Sequence, residues 1–231
     1  MTIDNKFLLI RNHNIFACMT EEEYEEMNII HHFIEAPKGD YIYFDSHYHN
    51  KLYFVKGGNI KIGYYDDEGK EVVKEIIRQG ETFGQITLER NNLNGEFAMA
   101  YKGDVSLCAF NIEDFEKLLK QKPDVALRFT RQIGHQLRNV ENRLVNVLNK
   151  DVKTRLINFL FQLGKEVSVE ENAENLIIPN LLTHEDMANL IGSSRQTVTT
   201  LLNELASQNL ISFNRQQICI LNVKELKKAG G

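Results

Sequence analysis

The sequence predicts an α+β protein with a β-rich domain over residues 1–122, one long helix over 123–149 and a small mixed domain over 150–231. Three patterns predict this order. Short strand-like segments follow one another between residues 37 and 110, and apolar residues then recur at heptad spacing. Two short helices separated by a glycine turn follow near the C-terminus, with a pair of short strands after them.

The β-rich domain is predicted from short runs of β-branched and aromatic residues separated by turn signals. Apolar and polar residues alternate most clearly at Ile60, Ile62 and Tyr64, and Gly69 in "DDEG" supplies the positive φ of a turn. Many short antiparallel strands at this spacing predict a sandwich or a barrel. The predicted strands are 39–44, 51–55, 59–65, 70–77, 96–101 and 105–110.

The long helix is predicted from an apolar stripe that begins after Pro123 and recurs at intervals of four and three residues. Such a stripe is typical of a coiled-coil seam, and it is narrower than the face of a helix packed on its own domain. We therefore expect the helix to pair with that of a second copy. "LNKDVKT" (148–154) breaks the register and predicts a hinge. The stripe starts at Ala126, and the expected dimer interface is Thr130, Ile133, Leu137, Val140, Leu144 and Val147.

The C-terminal domain begins with a helix over 152–163 and continues with a helix, a turn, a second helix and a hairpin. Thr183 and Asp186 have the spacing of a capping box, "HEDMANLIG" (184–192) forms the first helix, and "RQTVTTLLNELASQN" (195–209) forms the second. "LISF" and "ICIL" flank "NRQQ" as a small wing. This order is the winged helix-turn-helix plan.

The second helix of this plan exposes an unusual set of side chains. Val198, Leu201, Leu202 and Leu205 make the inward stripe, and the outward face has neither Glu nor Lys before Glu204. A merely solvated face would favour those two residue types. Arg pairs with guanine, Gln with adenine, and a Thr methyl packs on thymine, so we expect this face to meet base edges in a major groove. The expected DNA-contacting residues are His184, Ser194 (through a phosphate), Arg195, Gln196, Thr197, Thr199 and Thr200.

Composition and charge limit the other classes of protein. With 42% hydrophobic and 26% charged residues the chain is typical of soluble globular proteins, and no window approaches the roughly 20 apolar residues of a membrane span. The N-terminus has no signal-peptide pattern, so we expect a cytoplasmic protein with no membrane partner. Three widely spaced cysteines predict neither a disulfide framework nor an iron–sulfur cluster.

The net charge of −5 would by itself argue against nucleic acid. The long helix and its continuation are nevertheless locally basic, whereas between residues 181 and 221 only Arg195 and Arg215 carry positive charge. We therefore expect DNA binding with a shallow salt dependence. The basic residues are Arg128, Arg131, Arg138, Arg143, Lys150, Lys153 and Arg155, against Asp124, Glu141 and Asp151.

An ordered set of motifs across nearly the whole chain resembles one known family. These are "APKGDYIYF", "KLYFVKGGNIKIGYYDDEGKEV", "GETFGQ", "DVKTRLINFL" and "LIGSSRQTVTTLLNELASQNLIS". The chain is similar to the superfamily of the cAMP receptor protein and the fumarate–nitrate reduction regulator (CRP/FNR). The resemblance implies a cyclic-nucleotide-binding-like β-roll (a jelly roll), a long dimerisation helix and a C-terminal winged helix-turn-helix.

The resemblance also implies a function and a set of partners. It implies a homodimeric, effector-gated transcription regulator that binds an inverted repeat in double-stranded DNA, with RNA polymerase as a candidate partner. The family's base-reading positions fall on Arg195, Gln196, Thr199 and Thr200. Many relatives have Glu in place of Gln196 and Arg in place of Thr200, so we expect a different half-site with more A·T character.

The residues that hold cAMP in relatives are altered here. Gln85 follows "FG" where those relatives have Glu, and Glu96 stands near the slot of the phosphate-binding Arg-Ser pair. A carboxylate there would repel a phosphate, so we do not expect cAMP. Arg90 is an alternative anion partner, or else an ordinary loop residue. The candidate effector pocket is Gly84, Gln85, Arg90, Glu96 and Phe97, with Val140 and Glu141 in place of the hydroxyls that meet adenine.

Other effectors and other functions stay as alternatives. Haem stays open through His31, His32, His47, His49 or His135, although ordinary surface histidines are the simpler interpretation. Iron–sulfur sensing is not expected with Cys18 alone near the N-terminus, and a strand interior argues against a redox switch at Cys108. "HYH" (47–49) leaves a cupin-like metal enzyme as the alternative function, but residues 53–55 lack the Glu that cupins need. A dimeric protein with a vestigial helix-turn-helix is the other alternative.

Overall fold

The computed structural model describes residues 13–26, 31–44, 50–86, 95–165 and 175–230. The chain forms two compact units, Met1–Leu137 and Arg138–Gly231, which are described separately. The first contains α1 (Glu21–Glu26), β1 (His31–Ala36), β2 (Tyr41–Phe44), β3 (Lys51–Tyr65), β4 (Glu71–Arg78), β5 (Thr82–Gly84), β6 (Glu96–Asn111), α2 (Ile112–Gln121) and the first part of α3 (Pro123–Asn149). The second contains the rest of α3, α4 (Val152–Lys165), β7 (Leu176–Pro179), α5 (His184–Ile191), α6 (Arg195–Ser207), β8 (Ile211–Phe213), β9 (Gln217–Ile220) and α7 (Val223–Ala229).

The strands of the first unit form one antiparallel sheet in the order β1-β6-β3-β4, with β2 on β6 and β5 on β3. Strands β3 and β6 lie at the centre of the sheet and pair from Lys51 opposite Asn111 to Tyr64 opposite Glu96, with a register shift on each side of Gly57. The predicted separate strands 51–55 and 59–65 are wrong as boundaries, because β3 continues through them. The same correction applies to 96–101 and 105–110, which are parts of β6.

Glycine explains why β3 bends without ending. The pairing of β3 with β6 shifts register on both sides of Gly57, and Gly58 has φ +81°. A Cβ atom on Gly58 would lie 2.4 Å from the carbonyl oxygen of Asp104, so only glycine fits this approach of the two backbones. Gly57 and Gly58, which lie between the two predicted strands, therefore mark a bulge within one continuous strand.

Two apolar clusters form the core of the first unit. Alternate residues of β3 face opposite sides of the strand, so Leu52 and Phe54 enter one cluster while Tyr53 and Val55 enter the other. Burying side chains of this size contributes about 2 kcal/mol each. The first cluster includes Phe16, Phe110, Phe115 and Leu118 of neighbouring elements, and the second includes Ile60, Ile77, Phe83 and Leu107.

The long helix α3 has 27 residues, which confirms the predicted element. The first turns of this helix pack on the core of the first unit, because Val125 and Phe129 are buried in the first cluster and Ile133 packs partly against it. Thr130 is exposed, and its hydroxyl donates to the carbonyl oxygen of Ala126 at 2.9 Å. The predicted seam is exposed from Leu137 onward, with exposed fractions of 59% for Leu137, 52% for Val140, 57% for Leu144 and 44% for Val147.

The second unit has the winged helix-turn-helix plan predicted from the sequence. Helices α5 and α6 are joined by a turn at residues 192–194, and β8 and β9 form the wing. Strand β7, which was not predicted, adds a third strand by pairing Leu176 with Ile220. The break between α3 and α4 falls at residues 150–151, inside the predicted hinge. Across the described ranges of both units, no helix is long and apolar enough to cross a bilayer.

Candidate functional site

The first helix of the motif is fixed at both ends. The hydroxyl of Thr183 accepts from the backbone N–H of Asp186 at 3.0 Å, and the Asp186 carboxylate accepts from the N–H of Thr183 at 2.8 Å. This is the predicted capping box. At the other end Gly192 adopts φ +66°, and the N–H of Ser193 donates to the carbonyl oxygen of Ala188 at 2.8 Å. These bonds fix the residue at which α5 ends and the turn begins.

The second helix, α6, begins at Arg195 as predicted, and Ser194 caps it. The Ser194 Oγ accepts from the N–H of Thr197 at 3.1 Å and lies 2.8 Å from the Thr197 hydroxyl. Both side chains are thus engaged in the cap, at the end of the helix where the dipole favours an anion such as a DNA phosphate. Val198, Leu202 and Leu205 are buried, which confirms most of the inward stripe.

Three of the predicted base-reading side chains lie free on the surface of the second unit. Arg195, Gln196 and Thr200 are exposed within the first two turns of α6. The charge of Arg195 and the amide of Gln196 stand in consecutive positions, as expected for a helix that enters a groove by its N-terminal end.

Thr199 and His184, which the sequence predicts to contact DNA, contact each other in the structure. Thr199 is half-buried, and its hydroxyl donates to the carbonyl oxygen of Arg195 at 2.9 Å. The hydroxyl oxygen of Thr199 also lies 2.8 Å from Nδ1 of His184. A hydroxyl has one proton, so when it is given to Arg195 the His184 Nδ1–H is the donor to Thr199. The imidazole also meets the ring of Phe213 edge-on at 6.1 Å. The pair therefore ties α5, α6 and the wing together.

The surroundings of His184 favour its neutral form. Burial, and then the positive charge of Arg195, hold the pKa of His184 below its ordinary value of 6.5. The neutral ring can still donate from Nδ1 to Thr199. His184 thus positions the recognition helix while its charge is suppressed.

Two arginines that the sequence indicated only as basic charge donate hydrogen bonds to backbone carbonyl oxygens at and near the helix-turn-helix. Arg155 donates to the carbonyl oxygens of Gly192 at 3.0 Å and Val147 at 3.3 Å, and Arg143 donates to that of Leu190 at 3.3 Å. These carbonyls belong to helix ends and the turn, where cations are favoured. No local pattern signals this use, because it depends on how α4 packs under the turn.

A third basic residue is also used inside the unit. Lys153 of α4 pairs with Glu204 of α6 at 2.6 Å, and the Lys153 ammonium lowers the pKa of that carboxyl. Part of the predicted basic surface therefore anchors the recognition helix.

The predicted effector residues of the β-roll fall into two sets of contacts. Gly84 has φ +94° and is followed by Gln85, which is buried and whose N–H donates to the carbonyl oxygen of Lys51 at 3.0 Å. Glu96 is buried elsewhere, where it accepts from the Tyr43 hydroxyl at 2.7 Å and pairs with Lys74. Its carboxylate is thus neutralised by a lysine, which the sequence alone did not indicate.

The remaining predicted effector residues are Phe97 in the first unit, Val140 and Glu141 in the second, and Arg90. Phe97 is fully buried and lies against the rings of Tyr41 at 5.8 Å and Tyr65 at 5.3 Å. Val140 and Glu141 are exposed on α3, in the second unit. Arg90 lies outside the described residues.

The candidate haem and metal ligands give no cluster in the described parts of the chain. His32 and His135 are exposed, whereas His47, His49 and the side chain of His31 lie outside the described residues. Across the described ranges, no group of three or more His, Cys, Asp or Glu side chains is placed to hold a metal ion. Cys108 is buried, and burial raises the pKa of its thiol to about 11, away from the range of a reactive thiolate.

Comparison with known proteins connects both units to one family. Residues 33–122 match the cyclic nucleotide-binding domain family, and residues 154–229 match the Crp-like helix-turn-helix domain family. The global nitrogen regulator of Nostoc sp. is 28% identical over 78% of this chain and 80% of its own length. The cAMP-activated global transcriptional regulator CRP of Salmonella typhimurium is 24% identical over 75% of this chain and 81% of its own.

Solved structures show the same fold. A CooA variant from Carboxydothermus hydrogenoformans has a TM-score of 0.73 at 21% identity, covering 87% of this chain and 88% of its own. FixK2 from Bradyrhizobium japonicum has a TM-score of 0.73 at 20% identity, covering 88% and 98%. These matches give no support to the cupin-like alternative. The chain belongs to the CRP/FNR superfamily of DNA-binding transcription regulators.

Proposed function

We propose that this regulator works as a homodimer that reads an inverted repeat in double-stranded DNA, one α6 helix in each of two successive major grooves. The observation that carries the proposal is the exposed face of Arg195, Gln196 and Thr200 at the start of a helix that is capped by Ser194. Side chains in these positions meet base edges when a recognition helix enters the groove by its N-terminal end.

Each exposed side chain has a base that suits its chemistry. Arg195 pairs with N7 and O6 of guanine, Gln196 with N6 and N7 of adenine, and the methyl of Thr200 packs on that of thymine. Ser194 and Thr197 face a phosphate at the positive end of the helix dipole. Thr199 and His184 hold the helix and do not read a base, which reduces the reading set to three residues.

The second copy is argued from the exposed apolar stripe on α3. Leu137, Val140, Leu144 and Val147 follow one another at heptad spacing, and each is 44–59% exposed in the single chain. Leaving four such side chains in water forgoes about 1 kcal/mol or more for each. Pairing with the same stripe of a second chain covers them, and a two-fold dimer matches an inverted repeat.

The effector is proposed to be something other than cAMP. Relatives of this chain include proteins named as cAMP-activated regulators. Here, however, Glu96 stands near the phosphate-binding slot, where its carboxylate accepts a hydrogen bond from Tyr43 and pairs with Lys74. Phe97, at the next position, is fully buried. An effector would act by changing how α3 is held, with the break at residues 150–151 as the hinge. Such a regulator acts on chromosomal DNA in the cytoplasm, with RNA polymerase as its expected partner.

Selection of binding sites from random duplexes by the purified full chain tests the proposal. An inverted repeat whose half-sites lie about one helical turn apart is the expected result. The selection is run without additives, then with small molecules from cell extract, and then with haem. Recovery of a motif only after an addition would establish effector gating, and failure in all three would overturn the proposal.

A further inference from the structure

A cleft of about 420 Å³ lies in the first unit, between the turn at Gly80 and the first half of α3. Its volume is in the range of pockets that take small molecules. Of the predicted effector residues that the structure describes, none lines this cleft, so it lies apart from the predicted nucleotide pocket. The residues that matter for its chemistry are Gly80, Glu81, Arg128, Arg131, Gln132 and Gln136.

The helix side of the cleft carries positive charge. Arg128, Arg131 and His135 follow one another at intervals of three and four, so they share one face of α3. Arg128 gives one N–H to the carbonyl oxygen of Asn14 at 3.0 Å, which orients its guanidinium and leaves further donors. Arg131 is exposed, and within the described ranges it has no hydrogen bond or ion pair.

The described residues that line the cleft include one carboxylate, that of Glu81, against the two guanidinium groups of Arg128 and Arg131. Glu81 accepts from the backbone N–H of Arg78 at 2.7 Å, and burial raises the pKa of its carboxyl. The cationic Arg78 side chain lies close enough to act against that rise. The cleft therefore keeps an excess of positive charge.

Two glutamines of α3 give the cleft a fixed pattern of hydrogen bonding. Gln132 Nε2 donates to the carbonyl oxygen of Gly80 at 3.1 Å, and Gln136 Nε2 donates to that of Thr82 at 3.0 Å. Because a carbonyl oxygen only accepts, each amide must turn its nitrogen to the sheet. The oxygen of Gln136 is then left buried, with no partner among the described residues. An unmet buried acceptor is costly, so it suits a ligand that carries an O–H or N–H.

A second cavity of about 340 Å³ shares Asn14 and Gly80 with the cleft. Lys56 and His13 also line this second cavity. The shared residues make the two cavities neighbours, so a ligand longer than a few atoms has room and a further cation to meet.

We propose that this cleft binds a small organic anion. A carboxylate or phosphate group would pair with Arg128 and Arg131, and a hydroxyl or amine of the same molecule would donate to the oxygen of Gln136. Binding joins the Gly80 turn to α3, the helix whose later turns carry the exposed stripe. A role for the ligand as effector rests on the proposed function, whereas binding itself does not.

Isothermal titration calorimetry on the full chain without DNA tests the proposal with three probes. Glycerol 3-phosphate and citrate carry the anion and hydroxyl groups, and glycerol is the neutral match. Arg131→Gln removes an exposed cation of the cleft, so the variant is expected to fold. Arg138→Gln, seven residues later on the same helix and also exposed, is the matched control.

We expect at least one of the two anions to bind saturably, one per chain, and glycerol not to bind. Arg131→Gln should weaken that binding about tenfold, the effect of losing a charge-assisted hydrogen bond, and Arg138→Gln should leave it unchanged. No saturable binding below about 10 mM, or equal weakening by the two variants, would overturn the proposal. Because no DNA is present, loss of DNA binding with intact anion binding would count against the proposed function alone.

Discussion

The Nδ1 atom of His184 lies 2.8 Å from the hydroxyl oxygen of Thr199, and this contact joins the first turn of α5 to the recognition helix α6. The same hydroxyl donates to the carbonyl oxygen of Arg195, whose side chain is exposed. The contact separates two roles on one short helix. Thr199 holds the helix in place, and its neighbours Gln196 and Thr200 face outward.

Replacing Thr199→Val should therefore weaken DNA binding without changing the preferred sequence. Valine keeps the shape but leaves the His184 N–H without its acceptor, and the free energy of unfolding should fall by about 1 kcal/mol. Affinity for every duplex should fall by a similar factor, as measured by fluorescence anisotropy over a panel of single-base variants. Thr200→Ala is the control, since it removes the exposed methyl that is proposed to pack on thymine and should therefore change base preference without lowering stability. A changed preference in the Thr199 variant at unchanged stability would contradict the assignment.

Replacing Gln196→Glu should change which base is read at one position of each half-site. The carboxylate loses the donor that suits adenine and gains acceptors that suit the amino group of cytosine, a preference worth about 1–3 kcal/mol. Repeating the selection with the variant measures this directly. Gln121→Glu in α2, which makes the same charge change at an exposed position in the other unit, should leave the motif as it was. An unchanged motif with Gln196→Glu would remove this residue from the reading set.

Replacing Leu144→Lys should convert the dimer to a monomer. The substitution places a charge in the middle of the apolar stripe on α3, where two like charges would face each other across the seam. Sedimentation equilibrium on the full chain gives the mass of the assembly. Asn142→Lys adds the same charge two residues away, outside the heptad stripe, and should leave the dimer intact. A dimeric Leu144→Lys protein would show that another surface joins the chains.

Replacing Arg155→Gln should loosen the turn of the helix-turn-helix. The variant loses charge-assisted bonds to the carbonyls of Gly192 and Val147, which should lower the free energy of unfolding of the second unit by about 2 kcal/mol. Amide hydrogen exchange in the turn should become faster than in the parent chain. Arg138→Gln, at an exposed position, should leave exchange unchanged. Equal exchange in the Arg155 variant and the parent would mean that these bonds do not hold the turn.

Stability of the first unit should fall as the pH is lowered through the range between 6.5 and about 4. Burial lowers the pKa of His13 from 6.5 to about 4, so in this range the unfolded chain binds a proton that the folded chain does not. The loss from this residue should be about 2 kcal/mol between roughly pH 7 and pH 5. Urea unfolding at both values measures it, and His13→Gln should reduce the difference by that amount. An equal difference in both proteins would show that His13 is not the titrating group.

The order of elements could be predicted from the sequence because each has a strong periodic or capping signal. Thr183, Asp186, Ser194 and the stripe of α3 are local patterns, and the structure has these elements at the expected positions. Strand β1 was missed because its polar and apolar residues do not alternate clearly. The continuity of β3 was missed because Gly57 and Gly58 signal a turn and a bulge equally well.

The finer roles in the site could not be predicted, because they depend on packing between distant segments. The contact of Thr199 with His184 depends on how α5 packs against α6, and helical periodicity alone does not specify that packing. Ile133 fits the dimer stripe, yet its side chain packs partly on the core of its own unit. The sequence indicates Glu96 as a free charge near a phosphate slot, whereas in the structure it pairs with Lys74, 22 residues earlier in the chain.

If two copies of the chain read two half-sites, as proposed, loss of one half-site should weaken binding to the whole duplex. A duplex recovered by selection is compared with the same duplex after one half-site has been scrambled, with the mass of each complex measured by sedimentation. We expect two chains on the intact duplex and binding weaker by about a hundredfold or more after scrambling, since one set of specific base contacts is lost. Equal affinity for both duplexes, with one chain on each, would rule out reading by two copies.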